Sequence, residues 1–141
     1  MIRLQYLKIE GQQIKELPFD MKNLVNLRTI SLNHNQLQEL PIVCTYYPKL
    51  YSLSATHNCI ESIDHGFFNS ITQVETVHLD NNRIKHLPTS IQKLKRPKEI
   101  TYKDNPVEDS PEWLGMIDKL VEAVKSNKGT YIWSQTALCN A

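Results

Sequence analysis

Three histidines, His34, His57 and His78, follow one another at intervals of 23 and 21 residues, and Asp80 stands two places beyond the last. Imidazoles converging on one point beside a carboxylate can hold zinc. Ser54 supplies the remaining residue type of a serine, histidine and aspartate triad. Both chemistries ask for more than these residues offer. Metal sites draw on closely spaced ligand pairs, whereas these histidines recur at much longer intervals. An activated serine needs a strained turn and an oxyanion hole, and no GxSxG stretch occurs. Four glycines in the whole chain leave little scope for a phosphate-cradling loop. Cys139 lies in a short tail with no histidine beside it. No catalytic residue, metal ligand or cofactor is expected, and an enzyme built on the histidine patch is the least favoured reading. The interval itself carries more information than the residue types.

Self-similarity at that interval runs through most of the chain. Aligned on an asparagine, the units read LQYLKIEGQQI from Leu4, LRTISLNHNQL from Leu27, LYSLSATHNCI from Leu50, VETVHLDNNRI from Val74 and PKEITYKDNPV from Pro97, with starts 23, 23, 24 and 23 residues apart. In each unit a short alternating run sends two apolar residues inward, such as Val77 and Leu79, and their neighbours outward. One coil cannot bury such a face alone, so successive coils must stack, with strands about 4.7–4.9 Å apart in a parallel sheet and one shared core. The sharp turn after each strand leaves inward-pointing backbone N–H and C=O groups, each costing about 1–3 kcal/mol if bare. An asparagine amide both donates and accepts, so Asn35, Asn58, Asn82 and Asn105 are expected to bridge adjacent turns as a ladder. The first unit carries Gln12 there, one methylene longer, in a terminal coil with a neighbour on one side only.

The pattern resembles the leucine-rich repeat family over roughly Ile2 to Val107. The steps Leu17-Pro18, Leu40-Pro41 and Leu87-Pro88 are similar to the intracellular 23-residue subtype, and GFFNSI from Gly66 to Ile71 is similar to a 24-residue subtype with phenylalanine on the convex side. The resemblance implies an α/β fold: a short right-handed leucine-rich repeat solenoid with a parallel sheet on the concave face, in residues 1–108, followed by a capping helix and tail in residues 109–141. It also implies a non-enzymatic protein–protein interaction module that takes its partner on the concave sheet. A substrate-recruiting or targeting effector module delivered into a host cell is the alternative.

The repeat register lays the outward positions in rows. The first holds Tyr6, Thr29, Ser52, Thr76 and Glu99; the second holds Lys8, Ser31, Ser54, His78 and Thr101; the third holds Glu10, Asn33, Thr56, Asp80 and Lys103. Gly11, His34, His57, Asn81 and Asp104 run beside them. Partner contacts are expected at Tyr6, Lys8, Glu10, Asn33, His34, Ser54, Thr56, His57, His78, Asp80 and Lys103. His34 and His57 should stack at about one strand spacing, with His78 in a different row.

A solenoid needs its open ends covered. Ser110 reads as an N-cap, Pro111 as the first helical residue and Glu112 as a first-turn acid. Trp113, Ile117, Leu120, Val121 and Val124 form an apolar stripe expected against the fifth coil, and Gly129 is placed to end the helix. Tyr131, Ile132 and Trp133 are too apolar for a solvated tail and either fold back on the cap or meet another molecule. At the other end Met1 and Ile2 partly cover the first coil, with Lys8 and Glu10 discouraging strand addition, and a weak homodimer through this end is allowed.

Sixteen basic and fifteen acidic residues, well mixed, give a net charge of +1, which offers no overall field to attract nucleic acid or an anionic membrane. No apolar run reaches the length of a membrane span. Three cysteines, Cys44, Cys59 and Cys139, without CxxC spacing fit a reducing, cytoplasmic setting, or a host cytoplasm for an effector.

Overall fold

The structure is a computed structural model that describes residues 3–108 and 110–128. Five three-residue strands, β1 (Tyr6–Lys8), β2 (Thr29–Ser31), β3 (Ser52–Ser54), β4 (Thr76–His78) and β5 (Glu99–Thr101), form one parallel sheet in sequence order. Each strand brings one residue, Leu7, Ile30, Leu53, Val77 or Ile100, to the core, and in β2 to β5 that residue is fully buried. Its two neighbours face the other way, so the pairs Tyr6 and Thr29, Thr29 and Ser52, Ser52 and Thr76, and Thr76 and Glu99 lie side by side across the sheet. The 24-residue step between the third and fourth coils leaves this register intact.

The asparagines form the expected ladder. Asn58 Nδ2 donates to Ala55 O at 3.1 Å in its own coil and to Leu32 O at 3.0 Å in the coil before, while its Oδ1 accepts from Leu37 N at 3.1 Å. Asn35, Asn82 and Asn105 repeat the arrangement, taking Ile14 N, Ile60 N and Ile84 N as donors from the preceding coil, and Asn35 takes Gln12 N as well. Gln12 makes no such bridge among the described residues; its side chain is exposed and donates to Glu10 O at 3.1 Å.

On the convex side the chain returns through 3₁₀ turns at Phe19–Asn23, Ile42–Tyr46, Phe67–Asn69 and Thr89–Lys93. Proline suits the residue before such a turn because its ring fixes φ near −65°, and Pro18, Pro41 and Pro88 hold φ of −59°, −62° and −68° there. The third coil lacks a proline. Asp64 replaces it, its carboxylate accepting from Gly66 N at 3.1 Å and its carbonyl from Phe67 N at 3.0 Å. Phe67 and Phe68 then fill the convex side of the core edge to face, 5.1 Å apart. Cys44 is buried in this layer, and burial pushes its thiol up to about 12, as expected for a cysteine acting as a small apolar side chain.

Helix α1 (Pro111–Ser126) closes the C-terminal end. Ser110 Oγ accepts from Trp113 N at 3.1 Å, the predicted N-cap. Trp113, Ile117, Leu120 and Val124 are buried as expected, Met116 joins them, and Val121 is only partly buried. Trp113 meets Tyr102 of the fifth coil edge to face at 5.7 Å. The helix ends before Gly129 is reached: Asn127 is the C-cap and Lys128 adopts the left-handed conformation at φ +57°. Met1, Ile2, Gly129, Tyr131 to Trp133 and Cys139, to which the sequence assigned roles, lie outside the described residues. Leu4, Leu7, Ile9, Ile14, Leu17 and Met21 of the first coil are only partly buried, in contrast to Leu27, Ile30, Leu32 and Leu37 of the second.

The ladder predicts a position-dependent cost. Asn58→Ala strands backbone groups on its own turn and on the turn before and should lower stability by about 2–4 kcal/mol in urea unfolding, whereas Gln12→Ala should stay within about 0.5 kcal/mol of wild type.

Candidate protein-binding face

The concave face is assembled from the outward positions of β1 to β5 and the residues that follow each strand. Tyr6 is the most exposed large apolar side chain on it, at 58 %. Thr29, Ser52, Ser54, Thr76 and His78 are half-buried, and Ser31 and Thr101 are nearly buried. The middle of the sheet is therefore a rank of small hydroxyls in register, bordered by charge.

Much of that border is tied into a second ladder outside the strands. Asn33 Oδ1 accepts from Ser54 Oγ at 2.7 Å and from Thr56 N at 2.8 Å in the next coil. Asp80 repeats this two coils on, with Oδ2 accepting from Thr101 Oγ1 at 3.0 Å and Oδ1 from Lys103 N at 2.6 Å. Glu10 begins the series, accepting from Ser31 Oγ and from Asn33 Nδ2, with Lys8 Nζ 3.6 Å away. The Ser31 hydrogen bond, and then the charge of Lys8, hold the Glu10 carboxyl below its ordinary value. Glu10, Asn33, Ser54 and Thr56 thus form one connected cluster, and Asp80 and Lys103 form a second. Charge reversal at Asp80 would remove two hydrogen bonds from the fifth coil and would not probe the surface alone.

His34 and His57 stack as expected, with ring centroids 4.3 Å apart and planes within 17°. The backbone explains their placement. Gly11, His34, His57, Asn81 and Asp104 occupy equivalent positions and all take positive φ, between +55° and +65°, a region where asparagine, aspartate and histidine are enriched among residues with a Cβ. His57 Nδ1 lies 3.3 Å from Thr56 Oγ1. His78 stands apart, with Nε2 3.4 Å from Glu99. Ser54 donates to Asn33, and no hydrogen bond among the described residues joins it to an imidazole. Nor does any group of three His, Cys, Asp or Glu side chains among them converge as a metal site would require.

Ser31 and Thr101 are not among the expected contacts, yet they fix the rim carboxylates. Their signal was present: Glu10 and Ser31, Asn33 and Ser54, and Asp80 and Thr101 are each separated by 21 residues.

A leucine-rich repeat family profile matches residues 26–45. Among solved structures, the chain is similar to a leucine-rich repeat protein of Leptospira interrogans at 25% identity and a TM-score of 0.71, covering 85% of this chain and 29% of that one. Internalin C2 of Listeria monocytogenes aligns at 20% identity and a TM-score of 0.74 over 94% of this chain and 53% of its own. The leucine-rich repeat domain of the type III effector XopL aligns at 24% identity and a TM-score of 0.63 over 77% of this chain and 40% of its own. The chain thus spans about half or less of the length of these three. No curated protein matches the sequence. Repeat period, asparagine ladder, parallel sheet and these likenesses agree: the chain has the leucine-rich repeat fold. Proteins of this fold generally serve as non-enzymatic scaffolds for protein–protein interaction.

The rim network makes a titration prediction. Ser31→Ala removes the main cause of the lowered Glu10 value, so NMR titration should find the Glu10 carboxyl moved up toward the ordinary carboxylate range. Since a depressed carboxyl stabilises the fold above its unfolded pKa, this contribution is lost as pH falls through the folded value, and the variant should lose less stability on acidification than wild type.

Proposed function

We propose that the chain binds a partner protein through its concave sheet and carries out no chemistry there. The observation that carries this is the register of the outward rows: side chains from five coils lie in line on one face, over backbone already engaged in the sheet. A partner meets a prearranged surface and little ordering entropy is lost on binding. Tyr6 and Lys8 at the first strand, His34 and His57 at the rim, and His78 with Lys103 toward the last coils are the accessible contacts; Glu10, Asn33, Ser54, Thr56 and Asp80 hold the rim in shape and present their remaining hydrogen-bonding capacity. A recruiting or targeting module acting in a host cytoplasm is the second reading, supported by the likeness to the effector domain. A cytoplasmic setting, with its thiols reduced, suits either.

Site-specific photo-crosslinking tests the face. A crosslinker at Ser52, mid-sheet and half-buried, should trap a protein from a lysate of the source, and one at Gln92, exposed on the convex side, should not. His57→Glu should reduce the Ser52 adduct several-fold at an unchanged melting temperature. Adducts from Gln92 alone, or equally from both positions, would move the site off the sheet.

A further inference from the structure

The near-zero net charge conceals a local concentration of cations. The turn leading into β5 reads KLKRPK, and Lys93, Lys95, Arg96 and Lys98 are all exposed. The corresponding turns of the earlier coils, NLVNLR, YPKLY and ITQVE, carry a single basic residue or none. The fifth turn is held rigidly: Lys95 N donates to Thr72 O at 2.9 Å and Lys98 N to Glu75 O at 2.8 Å. Helix α1 then delivers its end to the same place, for Asn127 Nδ2 donates to Pro97 O at 3.4 Å, and Lys125 and Lys128 flank that asparagine on exposed positions. Six cations thus meet at one corner of the molecule.

The fold accounts for little of this. Lys98 pairs with Glu75 at 2.9 Å, and cations in the last turn favour the helix dipole. The nearby Glu99 faces His78 across the sheet instead. Among the described residues no carboxylate lies within ion-pair distance of Lys93, Lys95, Arg96, Lys125 or Lys128.

We propose that this corner is a docking site for a short acidic peptide segment, rich in Asp and Glu, of a partner protein. Arg96 offers the planar fork that pairs two carboxylate oxygens at once, and the lysines around it supply point charges. A carboxylate-bearing peptide fits better than other polyanions. Among the described residues the exposed large apolar side chains are on the first three coils, except Leu114 near the start of α1. The corner therefore has, among the described residues, no aromatic platform for bases and no apolar wedge for a lipid interface. A net charge of +1 also gives no long-range field to hold an extended duplex. This site does not depend on the concave-sheet reading, since the corner and the middle of the sheet are separate surfaces.

The test is fluorescence anisotropy with a short labelled peptide of alternating Glu and Asp. Wild type should bind, and the affinity should fall several-fold as salt rises from about 0.01 to about 0.15 M. The double variant Lys95→Glu, Arg96→Glu should bind about tenfold more weakly. Arg83→Glu with Lys85→Glu, an equal change in net charge placed after β4, should bind like wild type. All must share the wild-type melt; if the first pair does not, Lys125→Glu with Lys128→Glu replaces it. Absence of peptide binding, equal loss in both double variants, or tighter binding of wild type to phosphatidylserine vesicles or to a DNA duplex would overturn the assignment.

Discussion

Where each strand ends, the chain must turn inward, and the backbone groups it buries there are out of reach of the neighbouring strands. Asn35, Asn58, Asn82 and Asn105 resolve this by giving their amide hydrogens to carbonyls of their own turn and of the turn before, and by accepting a backbone N–H from that preceding turn. The bridge fixes the distance and the rotation between coils at once. Strand register, the inward direction of the apolar residues and the alignment of the outward rows all follow from it.

The same device is used twice. At the rim, where water competes, Glu10, Asn33 and Asp80 accept from hydroxyl groups one coil further on, and Asn33 and Asp80 also take the backbone N–H at the end of the next strand. One ladder sits in the core and one on its border, so the face between them has little freedom to change shape. The left-handed residues beside the rim, among them His34 and His57, are the bend that connects the two. Their stacking is a consequence of equivalent positions in adjacent coils.

The repeat made the sheet and its rows readable in advance, because a nearly constant period with one asparagine in each unit after the first leaves only one way to superpose the coils. The N-cap at Ser110 and the stripe from Trp113 to Val124 were readable for local reasons, capping chemistry and helical spacing. Other features were not. Acceptor roles for Asn33 and Asp80 depend on residues 21 positions away, a spacing that appears only when units are compared with each other and not within themselves. Helix termination at Ser126, with the left-handed residue at Lys128, departs from the expectation at Gly129, because the Asn127 side chain caps the last turn and anchors it to Pro97. The gathering of Lys93, Lys95 and Arg96 with Lys125 and Lys128 joins two segments that the sequence keeps far apart.

Buried asparagine bridges lock the coils together, and native-state hydrogen exchange reads that locking amide by amide. The amides of Leu37, Ile60 and Ile84 lie in turns, outside any strand or helix, yet each donates to an asparagine side chain of the next coil. These three should exchange only through global unfolding, as slowly as the central strand residue Leu53, while Gln12, whose amide also donates to Asn35 but sits in a coil whose apolar side chains are only partly buried, should exchange faster. Rapid exchange at Leu37, Ile60 and Ile84, at rates typical of surface loops, would contradict the locking.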